Sequence, residues 1–274
     1  MLLFYIFVFL LGLCVGSFLN VLVLRIPQKK KINGRSHCPK CKKKLRWYEL
    51  VPVFSFLFLR GKCLYCKKPI SWQYPLVELS TGIFFVLTFW QLLLKANLIM
   101  NLFFLVDFLF WIFFVSVFIV IFVSDIKYYI VPDKVIFPAI VFAFLYQVFK
   151  IFEAKTSASF FNFFMLKPIF YALFSGFGAA LFFFVLVVFT RGKGMGLGDV
   201  KIAALMGLLL SSPNIFVALL LSFFSGSMVG FILIMAKKKN LKSEVPFGCF
   251  LAPATFIAFF WGSQIISWYF GLIT

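Results

Sequence analysis

Two of the eight acidic residues in this 274-residue chain stand at the ends of long apolar runs: Asp125 in "FVSDIKYYIVPD" and Asp199 in "GMGLGDVK". A carboxylate at membrane depth carries a desolvation cost that calls for a compensating role. Two such groups a few ångströms apart cannot both ionise easily, so one keeps a proton. The ionised member can then take a proton from water while the protonated member polarises a carbonyl, which hydrolyses a peptide bond through a tetrahedral intermediate. Ahead of Asp199 the stretch "RGKGMGLGDVK" places Gly192, Gly194, Gly196 and Gly198 at every second position, with Lys201 just beyond. Glycines allow close backbone approach and form a pliable wall against which an extended peptide can lie. Each aspartate also has a simpler reading, Asp199 as a helix cap after a glycine turn and Asp125 as an interfacial group facing water. Asp133, which follows Pro132 at the start of another apolar run, is read as a helix cap.

The elements that must position these groups follow from composition. With 64% hydrophobic residues, 13% charged residues and a mean hydropathy of +1.07, the chain has more apolar surface than a soluble interior could absorb. Apolar runs cover residues 2–24, 76–94, 102–123, 131–149, 168–190, 200–210, 215–236 and 247–273. Most approach the ~20 residues that cross a bilayer, so the expected fold is an all-α polytopic membrane protein of about eight spans. The run 200–210 is short enough to be a shallow or broken helix, which leaves seven spans as the alternative. The expected organisation is a first span at 1–24, a polar loop at 25–75 and a membrane-embedded domain at 76–274.

A formal net charge of +19 raises nucleic acid as a partner, and topology disposes of it. Residues 25–68 hold 14 of the 27 lysines and arginines. If that loop is cytoplasmic, alternating spans put every other basic residue except Lys95, Lys150, Lys155 and Lys167 on the same side. The expected partners are therefore membrane lipid and no nucleic acid, with the N-terminus outside and 1–24 kept as a span instead of a cleaved signal peptide.

The polar loop carries Cys38-x-x-Cys41 and Cys63-x-x-Cys66. Two such knuckles match a four-thiolate zinc site, closed and therefore structural, in which each pair clamps one side of a tetrahedral ion. Two disulfides are the alternative, disfavoured in a reducing compartment. A loop this short has little core, so the ion would supply much of its folding energy. The single histidine, His37, lies beside Cys38 and is not needed as a ligand. Its solitude excludes an HExxH metalloprotease and leaves aspartate chemistry as the route for a hydrolase. A proton-coupled transporter using Asp125 and Asp199 is the alternative from another class, and a membrane-anchored zinc-ribbon scaffold is a third reading.

Together the motifs resemble the type IV prepilin peptidases, a family within the GxGD membrane aspartyl proteases. The resemblance runs through "GSFLNVLVLRIP", the paired CxxC loop with "LRWYELVPVFSFLFLRGKC", then "YPLVEL", "SDIKYYIVPD", "GMGLGDVK" and "VPFGCFLAPA". It implies that Asp125 and Asp199 are the catalytic pair and that the substrate is a prepilin or pseudopilin, cut at the cytoplasmic face of the bacterial inner membrane. It further implies that the loop supports N-methylation of the new amino terminus from S-adenosylmethionine, with Glu49, Gly61 and Lys62 as candidates. One departure is Cys249, where members of the family more often have proline.

Overall fold

The computed structural model describes residues 1–96, 101–156, 167–192, 195–236 and 246–272. Gly194 lies outside the described residues. The helices are α1 (Leu2–Arg25), α2 (Phe54–Phe58), α3 (Gln73–Lys95), α4 (Leu102–Tyr128), α5 (Asp133–Thr156), α6 (Lys167–Phe189), α7 (Leu197–Leu210), α8 (Asn214–Met235) and α9 (Gly248–Gly271), with a 3-10 turn at Trp47–Leu50. They fall into two compact units, Met1–Val120 and Ile121–Thr274, and α4 crosses the boundary.

Helix pairs in lipid gain from close backbone approach, because hydrophobic burial does not drive them together. In the first unit α1 and α3 meet through small residues: a Cβ on Gly12 would lie 2.6 Å from the Gly82 Cα, and one on Gly16 would lie 2.7 Å from the Glu78 Cα. Farther along, Phe89 of α3 meets the rings of Tyr5, Phe104 and Phe108 at centroid distances of 5.3, 5.6 and 5.5 Å. The Asn101 side chain accepts the Phe104 N–H at 2.8 Å and so caps the start of α4.

The second unit is organised around α7. Seven helices among the described residues are long and apolar enough to span a membrane, and α7 is not one of them. Its 14 residues reach about 21 Å, short of the ~30 Å hydrocarbon layer. Residues 202–210 are apolar on every side, and a helix without a polar face belongs inside the protein. Accordingly α7 packs against α5, α6, α8 and α9 and is buried along nearly all its length after Lys201. The Gln147 side chain on α5 donates to the Leu208 carbonyl at 2.5 Å, tying down its last turn.

Contact between α6 and α7 requires glycine at 207. An added Cβ would collide with the Ser175 carbonyl and lie 2.5 Å from the Gly176 Cα. We expect Gly207→Ala to cost about 1–3 kcal/mol of stability, measured as a lower thermal midpoint in detergent. An unchanged midpoint would show that the two helices can separate freely.

Candidate active site

Helix α4 ends where Tyr129 takes a left-handed conformation (φ 55) and closes the last turn with a bond from its N–H to the Asp125 carbonyl at 2.9 Å. The final turn therefore presents Asp125. Its Oδ2 accepts the Cys249 N–H at 3.0 Å, and the Gly248 N–H also reaches the carboxylate. These donors belong to the first turn of α9, where amide N–H groups have no helical partner and the helix dipole favours an anion. Gly248 has no room for a side chain: a Cβ would sit 2.8 Å from Asp125 Oδ2 and 2.9 Å from Ile202 Cδ1.

Asp199 occupies the first turn of α7, whose N-cap is the extended Gly196 (φ −89, ψ 158). The cap is therefore Gly196 and not Asp199, which stands third in the helix and accepts the Gly196 N–H on its carboxylate. The functional reading has its own support, because Asp199 and Asp125 lie within range of each other's charge. Ile202, one turn along α7, and Asp125 both press on Gly248. The two aspartates are 5% and 8% exposed.

The other expected supports are arranged around this pair. Gly198 abuts Val131, whose Cγ2 would be 2.7 Å from an added Cβ, so the start of α7 lies against the α4–α5 connection. Lys201 pairs with Asp133 at the start of α5, Nζ to Oδ1 at 2.5 Å, and lies 4.9 Å from the centre of the Phe137 ring. Lys201 thus ties α7 to α5, and Asp133 is the acidic residue of α5's first turn. The reading of the sequence missed Gly248, which sits inside "VPFGCFLAPA"; its partner is 123 positions away, and no local pattern marks it. The buried Ser124 hydroxyl, beside Asp125, makes no hydrogen bond.

In the first unit the four cysteines converge. The sulfurs of Cys38, Cys41, Cys63 and Cys66 all lie within 4.8 Å of one another, with Cys38 Sγ and Cys66 Sγ 3.9 Å apart and every thiol free. Tetrahedral zinc with ~2.3 Å bonds needs sulfurs about 3.8 Å apart, so the donor set fits that ion and the disulfide alternative is not realised. Both knuckles share one backbone design. Cys38 and Cys63 each accept an N–H from a left-handed lysine, Lys42 or Lys67, and each donates to the carbonyl of the next residue, Lys43 or Lys68. Amide donors at Cys66 and Tyr65 draw the Cys63 thiol down to about 7, while Cys41 in the same cluster is pushed up to about 11.

Glu49 is buried. Its Oε2 accepts the Arg46 N–H at 2.7 Å and the Tyr65 hydroxyl at 3.4 Å, while Oε1 has no hydrogen-bond partner. Gly61 is left-handed (φ 66) and packs on Phe56, and Lys62 bridges to Pro69 in the hairpin that carries the second knuckle.

The fold and site therefore define a multi-pass membrane protein with a buried aspartate pair and a separate four-cysteine loop. Residues 10–92 match the bacterial peptidase A24 N-terminal domain, and residues 112–231 match the type IV leader peptidase family. A prepilin leader peptidase/N-methyltransferase of Xanthomonas campestris is 31% identical over 94% of this chain and 92% of its own. Proteins of the same description from Pseudomonas aeruginosa and Bacillus subtilis are 29% and 28% identical, over 95% of this chain in each case and 91% and 96% of theirs. No solved structure matches. The chain belongs to the prepilin leader peptidase/N-methyltransferase family, and this sets aside the transporter reading.

If the cysteine cluster holds zinc, the purified chain will carry about one ion per molecule, and Cys38→Ser with Cys63→Ser will lose it. Elemental analysis checks this. Equal metal content in parent and variant would assign the thiols another role.

Proposed function

We propose that this chain removes the leader peptide from type IV prepilins or pseudopilins at the cytoplasmic face of the bacterial inner membrane and then N-methylates the new amino terminus. In this reading Asp125 and Asp199 are the catalytic pair. The observation that carries it is the meeting of two buried carboxylates from the ends of α4 and α7 in a chain of this family.

One carboxylate accepts a proton from water as the oxygen attacks the scissile carbonyl, and the other gives its proton to the carbonyl oxygen. Collapse of the tetrahedral intermediate returns a proton to the departing amine and leaves a carboxylic acid on the leader. A helical peptide hides its carbonyls, so the substrate must be extended at the cut, and the glycines ahead of Asp199 suit an approaching strand. The substrate's apolar helix stays among the spans while its leader remains in the cytoplasm. The enzyme's own basic residues belong with anionic lipid and topology, with the N-terminus outside.

Cys38, Cys41, Cys63 and Cys66 would hold zinc, which would crosslink the loop. S-adenosylmethionine would supply the methyl group. Glu49 fits recognition of a cationic methyl donor or amine, since its buried Oε1 is unpaired, and Gly61 and Lys62 are the further candidates in the loop.

Membranes incubated with a prepilin should show the leader-shortened product, and Asp125→Asn or Asp199→Asn should each lower its rate by about 10²–10⁴-fold or more. Processing by both variants at the parental rate would overturn the assignment. Gly248→Ala, which pushes on Asp125, should cost on the order of 100-fold in cleavage with metal content unchanged. The doubly substituted Cys38→Ser, Cys63→Ser chain should lose methylation of a pre-cleaved substrate more than it loses cleavage, and equal loss of both would unseat the loop's separate role.

A further inference from the structure

The polar loop contains a segment that does not behave as a polar loop. Between Val51 and Leu59 the sequence "VPVFSFLFL" has one polar side chain, Ser55. It folds as the short helix α2, held inward by one residue, Phe56. That side chain is buried against Trp72 at 4.9 Å between ring centres and fills the space over Gly61. The outer face is left bare: Phe54, Leu57 and Phe58 are 50%, 61% and 85% exposed.

The depth of this segment follows from two contacts. The Val53 N–H donates to Glu78 Oε2 at 2.7 Å, and Glu78 lies five residues inside α3, about 7–8 Å past its first residue. On the other side of Glu78 is Gly16 of α1, which lies nine residues, or about 13 Å, before the end of that helix at Arg25. Both α1 and α3 are long and apolar enough to span the bilayer. The start of α2 therefore lies beside the first turns of α3, close to the level of the exposed Leu76, and not out beyond the helix end. Val53 sits at φ 61, ψ −51, the centre of a γ-turn closed by the Phe54 N–H on the Pro52 carbonyl at 2.6 Å, a conformation that a β-branched residue adopts only under constraint. The turn and the bond to Glu78 hold it together.

We propose that residues 51–58 form a re-entrant anchor, with Phe54, Leu57 and Phe58 seated in the acyl-chain and headgroup boundary of the leaflet where α1 ends and α3 begins. The occupant of this face is anionic phospholipid. Exposed Trp47 and Trp72 flank it, as aromatic side chains do at a membrane interface. Just beyond it the exposed Arg60, Lys62, Lys67 and Lys68 complement negative headgroups. The four-cysteine site, whose second knuckle begins only five residues after α2 at Cys63, is thereby laid against the membrane surface. This assignment depends on the spans alone and stands apart from the catalytic roles proposed above.

The test places a tryptophan on the bare face, Phe58→Trp in the full chain, reconstituted in vesicles of mixed phosphatidylethanolamine and phosphatidylglycerol. The emission added over the parent is read as a difference spectrum. Leu57→Trp is a second reporter on the same face. Expected is quenching severalfold stronger by lipids brominated high in their acyl chains than by aqueous iodide, at both positions. Strong iodide quenching with no effect of brominated lipid would place the face in water. Quenching by neither would mean that protein covers it, whether a second copy or another chain. Either result overturns the anchor.

Discussion

Each carboxylate buried among the described residues rests on a backbone N–H. Glu49 accepts from Arg46, Glu78 from Val53, Asp125 from Cys249 and Asp199 from Gly196. Asp133, paired with Lys201, and Glu153, paired with Lys150, are more exposed than these. Burying an acid in an apolar surrounding is costly unless donors meet it, and helix starts and strained turns are where free amide donors exist. Much of the local architecture follows from this need. Helix α9 begins where Asp125 requires it, α7 begins one reach away from Asp199, and Val53 is bent into an unfavourable conformation so that its N–H can face Glu78.

The position of α7 is the second dependency. A helix too short to cross lipid is stable here only because neighbours surround it, and the contact that seats it permits no Cβ at Gly207. Its start is fixed at three points: Gly198 on Val131, Lys201 on Asp133, and Ile202 on Gly248. The alternate-glycine run consequently serves more than one purpose. Gly196 is an extended cap, Gly198 is a packing surface, and Gly192 takes a positive φ of 70 at the turn after α6.

Much of this was legible in the residues. Hydropathy marks the helices, including the short 200–210 run, because a span must be apolar over a set length. The cysteine spacing announces the four-thiol cluster because a knuckle is a local structure. The aspartates were legible as rare charges in apolar surroundings. Gly248, the Lys201 pair and the descent of α2 beside Glu78 were not, since each depends on residues brought together from distant parts of the chain. Burial of an apolar segment by lipid or by protein looks the same in composition. For "VPVFSFLFL" the Val53–Glu78 bond is what ties its start beside α3.

The choice of amides over cations has a consequence for chemistry. A lysine or arginine beside a buried carboxylate fixes it in the ionised form, and such a group cannot readily take up a proton and return it. An amide donor satisfies the oxygens without bringing a full charge, so the group remains able to exchange a proton. Glu78 gains only a tether from this arrangement, because the Val53 N–H and the Ser17 hydroxyl occupy it. Asp125 and Asp199 face each other's charge, and the nearest described lysine on α7, Lys201, is turned away to Asp133. In the proposed reaction this setting suits two acids that share one proton and pass it in either direction.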